Sequence, residues 1–226
     1  MPRCAAFALI RALPALVPAL IPLACAPLSG LSGAELVLRD LGGQVVVLPT
    51  AFTFTSSSTG YSTSGSDSFR SGSGLELGGR YAYVPAGSSL GAVAGLDLTS
   101  QWYTYAGGEG LTTYGLRPSL GIGWAPLDRL TLVAEGGVSA GSARFALPAS
   151  TSAPAFSSAG TSFGYDARLS ARWAISERWR LQATLGYLIS TTKLSGGGVD
   201  FTLDQRGSYI ALGVTWQLST RPTRLE

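Results

Sequence analysis

Nine charged residues sit at alternate positions in stretches that are otherwise apolar or small: Glu76, Arg80, Asp97, Arg117, Glu135, Asp166, Arg168, Arg172 and Arg180. Four are carboxylates and five are guanidiniums. A carboxylate trades protons near neutral pH only when its environment raises its pKa, and a neighbouring arginine does the opposite. Arginine's planar fork instead grips both oxygens of a carboxylate at once. The set therefore suits a network of ion pairs. Proton transfer has no other obvious agent, because the chain contains no histidine. Both cysteines, Cys4 and Cys25, fall in the first 34 residues, so the rest of the chain offers no thiolate nucleophile and no thiolate metal ligand. The remaining carboxylates are scattered. The glycine strings GGEG and SGGGVD lack the strand–turn–helix context of a phosphate loop. These residues predict no catalytic centre, no metal and no cofactor.

What must position the nine charges is clearest in Gly164–Ser176, with Phe163 just before it. Phe163, Tyr165, Ala167, Leu169, Ala171, Trp173 and Ile175 form one set; Gly164, Asp166, Arg168, Ser170, Arg172 and Ala174 form the other. A period of two marks an extended strand. The apolar row is long enough to cross a bilayer, for which a tilted strand needs roughly 9–11 residues.

The same rhythm predicts eight strands, at residues 50–59, 74–84, 90–105, 112–125, 130–147, 164–176, 179–194 and 207–218. Short turns and longer loops alternate between them, with the long loops after the first, third, fifth and seventh. Even strand number and this alternation are the habit of bacterial outer-membrane barrels, whose short turns face the periplasm. The expected fold is all-β: an eight-stranded antiparallel up-and-down transmembrane β-barrel over residues 50–219. Residues 35–49 read as an N-terminal lead-in, because Pro49 cannot donate to a strand ladder. Residues 220–226 read as a tail.

Composition agrees. Charged residues are 13% of the chain and 30 of its 226 residues are glycine, against about 25% and about 7% in soluble domains. Residues 1–34 begin with Arg3 and Arg11, continue through an apolar, proline-broken middle and end on Ser32-Gly33-Ala34. That is the plan of a signal peptide, cleaved after Ala34. Cys25 follows Pro22-Leu23-Ala24, which departs from the lipoprotein acylation pattern. Without the leader, 14 basic residues face 13 acidic ones, so nucleic acid is not an expected partner.

A soluble ligand-binding barrel and a membrane barrel share this alternation. Charge count separates them. A soluble exterior would carry far more charge and more than one lysine, Lys193. The apolar rows are thus expected to face lipid and the nine charges to pair inside a narrow barrel, with small neighbours making room. Trp124, Trp173, Trp179 and Trp216 fall at one rim, and Tyr103, Tyr105, Tyr114, Phe145 and Phe163 near the other, as aromatic belts would. Asp67, Phe69, Arg70 and Phe156 are the distinctive groups of the outer loops and read as solvated.

The last strand, with Ala211, Gly213, Trp216 and Leu218, resembles the C-terminal signal read by the outer-membrane barrel assembly machinery. That signal usually ends on an aromatic, whereas here it ends on Leu218 with STRPTRLE following. Together with the leader and the strand rhythm, the chain resembles the small OmpX/OmpA-type outer-membrane barrels. The resemblance implies export to the outer membrane, with lipid and the assembly machinery as partners. It leaves two roles open: a structural or surface-interaction barrel acting through its outer loops, or a narrow pore or carrier for small, apolar molecules. Its enzymatic members usually rely on a histidine base, which is missing here.

Overall fold

The computed structural model describes residues 37–83, 88–105, 108–147 and 155–218. The leader, its cleavage site and residues 220–226 lie outside them. Among the described residues ten strands appear: β1 (Val37–Val47), β2 (Ala51–Ser58), β3 (Tyr61–Ser68), β4 (Ser71–Tyr83), β5 (Leu90–Tyr105), β6 (Gly108–Leu127), β7 (Leu130–Leu147), β8 (Phe156–Ala174), β9 (Trp179–Gly196) and β10 (Val199–Gln217). β1, β4, β5, β6, β7, β8, β9 and β10 pair in that order, and β1 pairs back onto β10 from Asp40↔Gln217 to Val47↔Ile210. Every pairing is antiparallel. The result is a closed up-and-down barrel of eight staves, which leaves no sheet edge in the wall.

β2 and β3 continue two of these staves beyond the ring. β2 runs on from β1 and pairs with the upper part of β10, Asp200↔Ser57 to Gln205↔Phe52. The break between β1 and β2 is at Pro49, which has no N–H to give. Gly207 of β10 lies directly behind it; a Cβ there would meet Pro49 at 2.7 Å. Gly60 closes the β2–β3 turn with φ of 81°, a conformation glycine adopts without strain. β3 then leads through Phe69–Arg70 into β4.

Side chains follow the two-residue period. The outer face carries Leu120, Leu169 and Leu185, which are 72%, 54% and 59% exposed. Leu77, Leu98, Ile122, Val138, Leu181, Ile210 and Leu212 share that face. So continuous an apolar band is stable only against hydrocarbon. No described helix is long and apolar enough to cross a membrane; the crossing is made by strands.

The structure corrects the expected boundaries in two ways. Val37–Val47, expected within a lead-in, is a wall strand, with Leu41, Val45 and Val47 exposed and Asp40, Gln44 and Val46 buried. Pro49 interrupts the first stave instead of starting it. The presumed outer loops are also largely strand. β3, the first residues of β8 and residues 199–206 of β10 all extend the sheet above the apolar band. Both faces of β3 meet water, so nothing there forces the alternation by which a strand is recognised.

Candidate functional site: the filled lumen

All nine sequence-predicted charges point into the barrel, each less than a tenth exposed. Period two puts them there: each shares its strand face with inward glycine, serine or threonine. Arg168 is the hub. Its Nη1 donates to Glu76 Oε2, its Nη2 to Asp97 Oδ2 and its Nε to Glu135 Oε2, each at 2.9 Å. Arg80 grips Asp97 with both Nη atoms, at 2.7 and 2.8 Å. Its Nε lies 2.7 Å from Glu135 Oε1, an ion-pair contact without hydrogen-bond alignment. Arg117 holds Asp166 through Nε and Nη2 at 2.6 and 2.8 Å and reaches Asp97 at 3.2 Å.

Nearer the short-turn end, Arg172 donates to Asp40 Oδ2 at 3.0 Å and to Gln182 at 3.1 Å. Arg180 donates to Thr131 and Gln217. Among the described residues Asp40 makes the inward acids five, matching the five inward arginines. Gln44 and Gln182 stitch the layers together: Gln44 donates to Glu76, and Gln182 donates to Gln44 at 2.9 Å. The Tyr209 hydroxyl donates to Asp166 at 2.7 Å.

Glycines make this crowding possible. A Cβ on Gly78 would strike the Asp97 carboxylate, one on Gly137 the Arg117 guanidinium, and one on Gly186 the Tyr209 ring. A recess of ≈ 20 Å³ lies beside Asp40, Gln44 and Thr215, and one of ≈ 40 Å³ opens beside Val93, Val133 and Arg180. The smaller has room for about one water molecule.

Above the charges the lumen changes character. Leu48, Phe52, Phe69, Tyr103, Leu111, Leu194 and Leu203 form a buried apolar plug, flanked by Phe54, Tyr105, Phe145 and Phe201. Phe69 stacks between Phe52 and Tyr103, with centroids 4.5 and 5.0 Å away. Two expectations change here. Phe69 is not a solvated loop group but 3% exposed, and Tyr103, Tyr105 and Phe145 turn into the plug instead of joining a lipid belt. The outer rim's exposed rings are Trp102, Tyr114, Phe163 and Tyr165. At the short-turn rim Trp124, Trp173, Trp179 and Trp216 are all exposed, Trp179 and Trp216 with centroids 5.0 Å apart. On β10, Trp216 and the following Leu218 are exposed while Gly213 packs against β1.

Asp40, Gln44 and Tyr209 were missed by sequence reasoning. The signal for the first two was present, since Leu41, Val45 and Val47 alternate with them; the valine run up to Leu48 and the Gly42-Gly43 pair hid it. At the collar above the lipid, the Tyr105 hydroxyl donates to Asp67. This bond, with a second from the Ser68 N–H, holds the Asp67 carboxyl below the usual range, and the carboxylate in turn raises the Tyr105 hydroxyl. Among the described residues no cluster of histidine, cysteine or acidic side chains is arranged to hold a metal ion.

No protein-family model and no curated protein matches the chain. Among solved structures it is similar to Neisserial surface protein A (14% identity, 79% of this chain and 97% of that one, TM-score 0.41). The attachment invasion locus protein Ail of Yersinia pestis is similar at 15% identity, over 79% of this chain and 99% of that one, with a TM-score of 0.37. The outer membrane protein OprG of Pseudomonas aeruginosa is similar at 13% identity, over 82% and 96%, with a TM-score of 0.43. At these values the barrel fold rests on the ring of strand pairs, and the chain's role does not follow from its neighbours.

Proposed function

We propose that the chain is an integral outer-membrane barrel that acts without catalysis, its wall a rigid mount for the strands projecting above the lipid. The carrying observation is the filled lumen: among the described residues, five buried acids face five buried arginines beneath an apolar plug. A wall this well filled suits display better than transport. The absence of histidine fits a non-enzymatic role. The exposed Trp216 and Leu218 are where the assembly machinery would read the last strand, and lipid is the other partner. The discriminating experiment is single-channel recording of the purified, reconstituted protein in a planar bilayer. The expected result is a membrane no leakier than lipid alone; steady, ohmic openings would reverse the proposal in favour of a narrow pore.

A further inference from the structure

The β2–β3 hairpin ends in an open strand. β3 pairs with β2 over eight residues, Ala51↔Ser68 to Ser58↔Tyr61, and no described strand pairs with its other side. All eight residues are exposed. In a ladder closed by a two-residue turn, the flanking pair exchanges both hydrogen bonds, and bonded residues then alternate. Tyr61, Thr63, Gly65 and Asp67 therefore spend their backbone groups on β2. Ser62, Ser64, Ser66 and Ser68 turn theirs outward. An independent contact agrees: the Ser68 N–H is taken by Asp67 Oδ1 at 2.7 Å. Three serines remain with both backbone groups open along the edge. Proteins usually blunt such an edge with lysine, proline or a bulge. β3 reads YSTSGSDS and has none of these; its one charge, Asp67, is engaged by Tyr105.

We infer that this edge pairs with the same edge of a second copy held in an apposed membrane. A twofold axis through Ser64 sets Ser64 opposite Ser64 and Ser62 opposite Ser66, so all the open backbone groups of Ser62, Ser64 and Ser66 find partners. Thr63 then faces Gly65, and Asp67 faces Tyr61, so the two carboxylates never oppose each other. One open edge per copy makes a closed pair that cannot grow into a fibre.

Chain direction decides which membrane the second copy occupies. β3 descends from the Gly60 turn toward the wall. A copy in the same membrane presents a β3 that also descends, giving parallel strands. Antiparallel pairing requires an inverted barrel. Eight residues rise about 26 Å along the strand, or about 20 Å along the barrel axis at a tilt of roughly 35–45°. That would be the order of the gap between the membranes. Each contact is small, and many copies on each surface supply the avidity.

The inference rests on the display reading above, and its test is separable from conductance. The mature protein is reconstituted into two vesicle populations carrying different lipid dyes, as wild type and as Ser64→Cys, Thr55→Cys and Ser64→Pro. Thr55 is exposed on β2, one strand in from the edge. Mixed wild-type vesicles should cluster. Mild oxidation should yield a Ser64→Cys dimer linking the two populations, because directly opposed bonded residues lie about 5.5 Å apart at Cα, within disulfide reach. Thr55→Cys should stay monomeric. Ser64→Pro should abolish clustering yet keep the heat-modifiable folded band, since the Ser64 N–H makes no bond to β2. Folded Ser64→Cys without dimer, dimers confined to one population, or equal dimers from Thr55→Cys would each overturn the inference. Steady channel openings would instead sink the display reading and leave the edge result standing.

Discussion

Replacing Arg168 with methionine probes the charge network at its hub. The Arg168 side chain is 0% exposed and donates one hydrogen bond to each of three carboxylates. A hydrogen bond to a charged group contributes about 1.5–3 kcal/mol, so simple addition gives roughly 4–9 kcal/mol. That sum is too large here. Asp97 keeps Arg80 and Arg117, and Glu135 keeps Arg80. Glu76, whose only ion pair among the described residues is with Arg168, keeps only Gln44. One carboxylate is thus left buried without a counter-charge, which costs about 3–5 kcal/mol. Urea unfolding of the reconstituted barrel, followed by tryptophan fluorescence and the heat-modifiable band, should show a loss of that size. Adding Glu76→Gln should restore part of it, because the stranded charge is then gone. A loss under about 1 kcal/mol in Arg168→Met would mean that water, not arginine, satisfies these acids, and would refute a packed lumen.

Gly137→Ala should cost about 1–3 kcal/mol by overpacking, measured in the same unfolding assay, because its Cβ would strike the Arg117 guanidinium. Leu120→Arg places a charge on the lipid face and should cost about 2–4 kcal/mol near the bilayer midplane; Leu120→Phe should fold as wild type, and equal insertion of both would argue against the assigned facing. The collar should respond to acid. Asp67 is held below its usual pKa, so its tie to Tyr105 persists at neutral pH and is lost only as pH falls through the lowered value. Amide exchange near Ser68, read against an Asp67→Asn control that lacks the transition, tests this.

How much of this was legible in sequence depended on where each residue meets lipid. β5 and β7 were read to the residue, since hydrocarbon on one face and a polar lumen on the other enforce alternation along their length. The nine charges were legible for the same reason. β2 was read within the strand at 50–59, but β3 was not, because water bathes both of its faces and Ser and Thr satisfy either. Asp40 was hidden by Pro49, which reads as a strand start when it is a break within a stave. The plug was hidden too: Phe69 and Tyr103 obey the period, but whether an aromatic at the rim turns into the lumen or out to lipid depends on register, which composition does not encode.

The facing of the wall is tested most directly by attaching a nitroxide at Leu120, Leu169 and Leu185 in the reconstituted protein and measuring collisions with oxygen and with a water-soluble nickel chelate. All three sites are outward on the apolar band, so each label should collide readily with oxygen, which concentrates in hydrocarbon, and scarcely with nickel. Ready collision with nickel at these sites, or labels immobilised and shielded from both reagents, would contradict the barrel as described.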